Sequence, residues 1–161
     1  MIYFLDADFL IRAKNEHFQI DRVPEFWDWL VQNGRAGKIK IPLPIYEEIV
    51  RREDPLKDWL SSNKEILRIE DPNALVLVPE ILALYGDDLT EDELETIGSD
   101  PFLVAYAKHH RGAVVTREAS RPSSSRANRR LPDVCREARV RVVREAQLIQ
   151  ELDFRTQGAR R

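Results

Sequence analysis

The chain has a single cysteine, Cys135, which excludes an internal disulfide framework and a thiolate-rich metal site and suits a reducing compartment. It has no window of about 18 uninterrupted apolar residues, so no membrane span is expected. The first apolar stretch lacks a basic n-region and carries two acids in its middle, unlike a secretory signal, and the expected location is cytoplasmic. Glycine is scarce and forms no phosphate-cradling loop, while Ser123 to Ser125 lack the Gly-x-Ser-x-Gly context of serine hydrolases. His17, His109 and His110 show no H-x-x-x-H spacing, and the adjacent pair reads as an answer to a helix dipole. The net charge of -3 gives no overall basic signature for nucleic acid.

The apolar and charged residues that are present suit one folded domain over residues 1–154, with a flexible tail over 155–161. Charge is distributed unevenly. Glu70 to Asp100 holds ten acidic residues and no Lys or Arg, whereas Arg117 to Arg144 holds nine Arg. Short apolar runs at Ile2–Leu5, Lys38–Ile41, Ile66–Ile69, Ala113–Thr116 and Val140–Val143 read as strands. Between them lie helical patterns at 9–14, 24–34, 43–53 and 55–63. A further helical stretch runs from Asp71 to Tyr85 and is divided by Pro79, and others lie at 100–111, 131–139 and 145–154. The acidic 86–95 stretch reads as loop or short helix, and the Arg/Ser-rich 117–130 segment as a long mobile loop. Trp27, Trp29 and Trp59 fall in amphipathic patterns and are expected in the core. The alternation predicts an α/β three-layer sandwich around a mostly parallel sheet of four to five short strands.

Ligands in such folds sit beyond the carboxyl ends of the strands. Asp6 directly follows the first strand and interrupts MIYFLDADFLIR, where a buried segment would exclude charge. Glu118 follows the fourth strand, and Asp100 opens the helix feeding that strand, where Asp-Pro also makes it a good N-cap. Glu47 and Glu48 lie a turn into the helix after the second strand, and periodicity does not choose between them. Asp8 reads as a cap or a further site acid, and Asp133 beside Pro132 fits a helix start. Clustered carboxylates repel unless a cation sits among them, and oxygen donors without His or Cys favour Mg²⁺ or Mn²⁺.

In pattern and order these residues resemble the PIN-domain ribonucleases, the fold of VapC-type toxins. The resemblance covers Ile2 to about Phe154. IYFLDADFLI resembles the opening strand, with D-A-D where D-[ST]-N is usual, and PIYEEIV resembles the second acid's helix, favouring Glu48. SDPFLVAYAKHHRGAVVTRE is similar to the D-x-x-[IL]-x-A-x-A helix, strand and T-x-D of the family. The resemblance implies metal-dependent endoribonuclease activity, with Asp6, Glu48, Asp100 and Glu118 as catalytic metal ligands and Asp133 as an alternative or additional fourth acid. It implies that Thr116 orients the fourth acid and that Arg121, Arg126, Arg129 and Arg130 track RNA phosphates. It also implies an antitoxin protein partner and a homodimer. Two other readings stay open: a PIN-like module that binds RNA or a partner without cleaving, and a phosphatase of haloacid dehalogenase type, whose opening is also strand-D-x-D.

Overall fold

A computed structural model describes residues 1–156. Its framework is a five-stranded parallel sheet in the order β3-β2-β1-β4-β5. These strands are β1 (Tyr3–Leu5), β2 (Ile39–Pro42), β3 (Arg68–Ile69), β4 (Ala113–Val115) and β5 (Arg141–Val143). β1 and β4 are buried along their whole length, as expected of central strands covered on both faces. The register pairs Tyr3 with Ile39 on one side and with Ala113 on the other. The chain winds outward from β1 to β3, then crosses to β4 and winds the other way, so strand order reverses between β1 and β4. Side chains leaving the carboxyl ends of these two strands meet at the switch point.

The helices preceding the crossover are α1 (Ala7–Asn15), α2 (Pro24–Arg35), α3 (Leu43–Val50), α4 (Pro55–Ser62), α5 (Lys64–Leu67), α6 (Pro72–Leu75), α7 (Val78–Ala83) and α8 (Glu91–Ile97). After them come α9 (Asp100–His109), α10 (Leu131–Glu137) and α11 (Glu145–Glu151). Helix α9 packs against β1, β2 and β4, and α2 against β2 and α5, so helices flank the sheet as the three-layer expectation required. The α9 sequence has a wide apolar surface because it is central: Leu103, Val104, Ala105 and Ala107 are fully buried. Gly112 ends the turn after α9. A Cβ there would stand 2.4 Å from the Ile2 carbonyl and 2.9 Å from the Phe4 ring, so only glycine lets β4 close on β1.

Trp27 and Trp29 are core residues, and Trp59 packs edge-on to Trp27. Cys135 is buried, and burial pushes its thiol up, away from the reactive thiolate. The third strand is shorter than the expected Ile66–Ile69, because Lys64–Leu67 completes a helical turn that buries Leu67. Pro79 divides the 71–85 stretch by opening α7. The acidic segment forms α8, started by a reciprocal capping box between Thr90 and Glu93. Among the described residues, no helix is long and apolar enough to cross a membrane. Of the expected 155–161 tail, residues 157–161 lie outside the described residues.

Candidate metal-binding and active site

Asp6 leaves β1 with its backbone still in the sheet, its N–H donating to the Val115 carbonyl at 3.0 Å. Helix α1 begins at the next residue, yet the Asp6 carboxylate makes no capping hydrogen bond. It faces Thr116, the residue after β4, whose hydroxyl donates to Asp6 Oδ2 at 2.9 Å. The same Thr116 oxygen accepts from the Glu118 N–H at 3.1 Å. One buried hydroxyl therefore fixes the first acid by its side chain and the fourth by its backbone. The sequence expectation gave Thr116 only the second task.

Asp6 is 5% exposed, and its pKa is pushed from 3.8 up to about 7. Burial is the main cause; the Thr116 hydroxyl opposes it, and the charges of Asp8 and Glu118 add to it. Asp100 is raised well above the ordinary carboxylate range, by burial first and then by Asp6, Glu118, Glu48 and Asp8. Both carboxyls thus sit where ionisation is costly without a cation. Asp100 does not cap α9 as expected: Ser99 occupies the cap position, and Asp100 is the first helical residue. Its position in the first turn aligns its charge favourably with the helix dipole.

A cleft of about 350 Å³ runs between β1, α3 and the α8–α9 junction, with Asp6, Asp8, Glu48, Asp100 and Glu118 in its walls. Glu48 lines this cleft and Glu47 does not, which resolves a choice that periodicity left open. Gly98 turns the chain from α8 to α9 with φ 61° and ψ -135°, a region that favours glycine, and brings Glu95 and Asp100 to the same wall. Asp8 pairs with Arg12 at 3.1 Å, one turn along α1. Arg52, the basic residue of this lining, and Glu95 were not anticipated. Arg52 lies beyond the end of α3 with no motif around it, and Glu95 is one of many acids in its segment.

Asp100 and Glu118 also border a second space of about 570 Å³, lined by Arg121, Arg129, Arg130 and Ser123 to Ser125. The acids therefore stand between an acidic cleft and an Arg/Ser-lined one. The segment expected to be a mobile loop is tied at several points. Arg126 holds Glu93 and the Asp87 carbonyl, and Arg129 holds the Leu84 carbonyl and Glu137. Arg130 reaches Glu118 at 3.4 Å, while Arg121 is exposed on the wall. Of the four arginines expected on RNA, Arg126, Arg129 and Arg130 are thus engaged within the protein, Arg130 with the cleft acid Glu118 itself.

Asp133 stands apart from the acid cluster. It is 4% exposed and accepts from the Ser120 hydroxyl and the Arg121 N–H, anchoring the start of the Arg/Ser segment. Burial raises its pKa, but these hydrogen bonds and the charges of Arg136 and Arg129 outweigh it and hold the carboxyl below its usual range. The expectation of Asp133 as a fourth ligand is corrected on these grounds: its oxygens are occupied, and it lines neither space. Tyr85, also unanticipated, lines the larger space with a buried hydroxyl that has no hydrogen-bond partner among the described residues. Burial, then the charge of Asp100, pushes its phenol up.

All the acids of the cleft offer oxygen, the donor set of a hard divalent ion. They are spaced loosely: among the described residues, the one group of three whose ligand atoms lie within 4.8 Å of one another is Asp71, His109 and His110. Residues 3–156 match the model of a family described as a domain of unknown function, DUF4411. The chain belongs to the DUF4411 family. No curated protein and no solved structure matches it. In this DUF4411 chain, Thr116→Val is expected to lower any activity of the site about 10- to 100-fold, as loss of a ligand-orienting partner does. Activity measured against divalent-ion concentration, with a Thr116→Ser variant retaining near-normal activity, checks this.

Proposed function

We propose that this DUF4411 protein is a metal-dependent endoribonuclease of PIN type, the toxin of a toxin–antitoxin pair. The observation that carries this reading is the meeting of buried Asp6 and half-buried Asp100 with Glu118 and Glu48 in one cleft at the reversal point of a parallel sheet. Carboxylates raised by burial and then by one another's charge are suited to a cation, and the oxygen donors fit Mg²⁺ or Mn²⁺. Such an ion, when bound, supplies an activated water and neutralises charge developing on a phosphodiester.

The ion would be held by Asp6, Asp100, Glu118 and Glu48. Thr116 orients Asp6 and the backbone of Glu118. Arg130 offers its positive charge to Glu118, and Arg121 and Arg130 stand in the adjoining space where a phosphate backbone would lie. Contacts of that kind position a strand without choosing its sequence. The expected protein partner is an antitoxin that covers the acidic cleft.

The test is cleavage of structured RNAs by the purified chain with Mg²⁺, with Mn²⁺ and with chelator, beside Asp6→Ala. Metal-dependent cleavage lost in Asp6→Ala supports the reading; cleavage indifferent to both refutes it. The loose spacing of the carboxylates favours a second reading, a module that binds RNA or a protein partner without cleaving it. RNA bound but intact under every metal condition would establish that reading. Phosphate release from a small phosphomonoester, lost in Asp6→Asn with RNA untouched, would instead establish a phosphatase.

A further inference from the structure

We infer that Asp71, His109 and His110 form a second metal site, selective for a borderline ion of the Zn²⁺ type and separate from the acidic cleft. Adjacent histidines on a regular helix point about 100° apart and seldom converge. Here His109 is the last residue of α9 and His110 is its C-cap, with φ -86° and ψ 1°. Their rings stand perpendicular, at 89° with centroids 5.0 Å apart, and both bring Nε2 near one oxygen. That oxygen is Asp71 Oδ2, 3.5 Å from His109 Nε2 and 2.9 Å from His110 Nε2.

Asp71 and His110 are held by other interactions. Asp71 caps α6 through Oδ1, which accepts from the Asn73 N–H at 3.0 Å and leaves Oδ2 turned to the imidazoles. The Asp71 N–H donates to the Tyr106 hydroxyl at 2.9 Å. The His110 ring lies against Phe4 and Tyr106. The ligands are thus positioned in advance by a cap, a hydrogen bond and aromatic packing.

An Asp–His ion pair alone leaves one fact unexplained. His110 Nε2 is buried only 2.9 Å from Oδ2, yet it has no hydrogen-bond partner of acceptable direction. A cation between the donors accounts for this, because each ring nitrogen then aims at the ion and not along the line to the oxygen. Donors about 2.0–2.1 Å from a tetrahedral ion lie roughly 3.3 Å from one another, and the two observed separations bracket that value. All three ligand atoms lie within 4.8 Å of one another. Two imidazoles and one carboxylate suit Zn²⁺ and disfavour Mg²⁺, so the two sites differ in the ions they take. The half-exposed His109 leaves an approach for a water as fourth ligand. An ion here would join α6 to the C-terminal end of α9, the helix whose first residue is Asp100.

The experiment is equilibrium dialysis of the full chain, free of any histidine tag, against Zn²⁺ in millimolar Mg²⁺, with Co²⁺ absorption as the coordination readout. Wild type and Asp6→Asn should each bind one Zn²⁺ and give the intense visible bands of four-coordinate Co²⁺. His109→Gln and His110→Ala should bind at least about a hundredfold more weakly and lose the bands. Circular dichroism establishes that each variant is folded, and the half-exposed His109 makes His109→Gln the safer of the two. Absence of Zn²⁺ binding in the wild type, or equal binding in folded His109→Gln and wild type, overturns the inference. Loss of the ion in Asp6→Asn alone would place the binding in the acidic cleft and likewise overturn it.

Discussion

Asp100→Asn is expected to lower the proposed Mg²⁺- or Mn²⁺-dependent RNA cleavage at least about a hundredfold and, in the absence of metal, to make the protein more stable. The first effect follows, on the proposed reading, from losing one negative ligand of an ion whose charge stabilisation would be worth several kcal/mol. The second follows from the causes of the raised Asp100 pKa: burial and the charges of Asp6, Glu118, Glu48 and Asp8 all oppose its ionisation. An amide of nearly the same shape removes that penalty without opening a cavity. The opposite signs matter, because a variant that is inactive only through misfolding would also melt earlier. Single-turnover cleavage and a metal-free thermal melt on the same preparation measure both. Unchanged cleavage would remove Asp100 from the site, and a lower melting temperature would contradict the electrostatic account.

The stability of the metal-free protein should fall as pH rises from about 4 to about 7, with Asp6 as a principal cause. Its folded pKa of about 7 lies above the ordinary value of 3.8, so the folded state holds this proton more tightly than the unfolded chain. The stabilisation is fully present below the unfolded pKa, declines through the window, and is gone above the folded value. The gap corresponds to about 4 kcal/mol between the two limits, since each pH unit is worth 1.36 kcal/mol. Carboxyls with lowered pKa, such as Asp133 and Asp54, contribute with the opposite sign and lose stability in acid. Comparison of wild type with Asp6→Asn therefore isolates the Asp6 contribution. Urea unfolding at pH 5 and pH 8 should show the wild type losing more stability than Asp6→Asn between the two. Mn²⁺ at pH 8 should restore stability to the wild type more than to the variant, because binding to the native state alone raises stability. Equal pH dependence in the two proteins would show that Asp6 is not the strained group.

Asp6 was legible because a charge in an otherwise apolar strand is a conflict in one short segment, and a conflict between local pattern and burial marks a functional position. Asp100 was also legible, though its Asp-Pro pair suggested a cap that Ser99 in fact occupies. Glu48 could not be separated from Glu47 by period alone, because the two flank the apolar stripe symmetrically. The cleft beside α3 separates them. Asp133 was a candidate fourth acid only through the family resemblance, its place beside Pro132 reading as a helix start, and Ser120 and the Arg121 N–H claim it. The Arg/Ser segment carries no apolar periodicity and so read as mobile. It is held by ion pairs to Glu93 and Glu137, in α8 and α10, which no local pattern records.

The sequence by itself determined the order of short strands and helices, their apolar faces, and the placement of Asp6 and Glu118 just after central strands. Those features depend on periodicity and on residues a few positions apart, where steric and burial rules act locally. Tertiary structure alone decided which charges meet. Thr116 joins Asp6 because β4 lies beside β1, although 110 residues separate them. Asp71 joins His109 and His110 because α6 packs on α9. Electrostatic energy depends on distance in space and on burial, and neither quantity is defined until the sheet has closed.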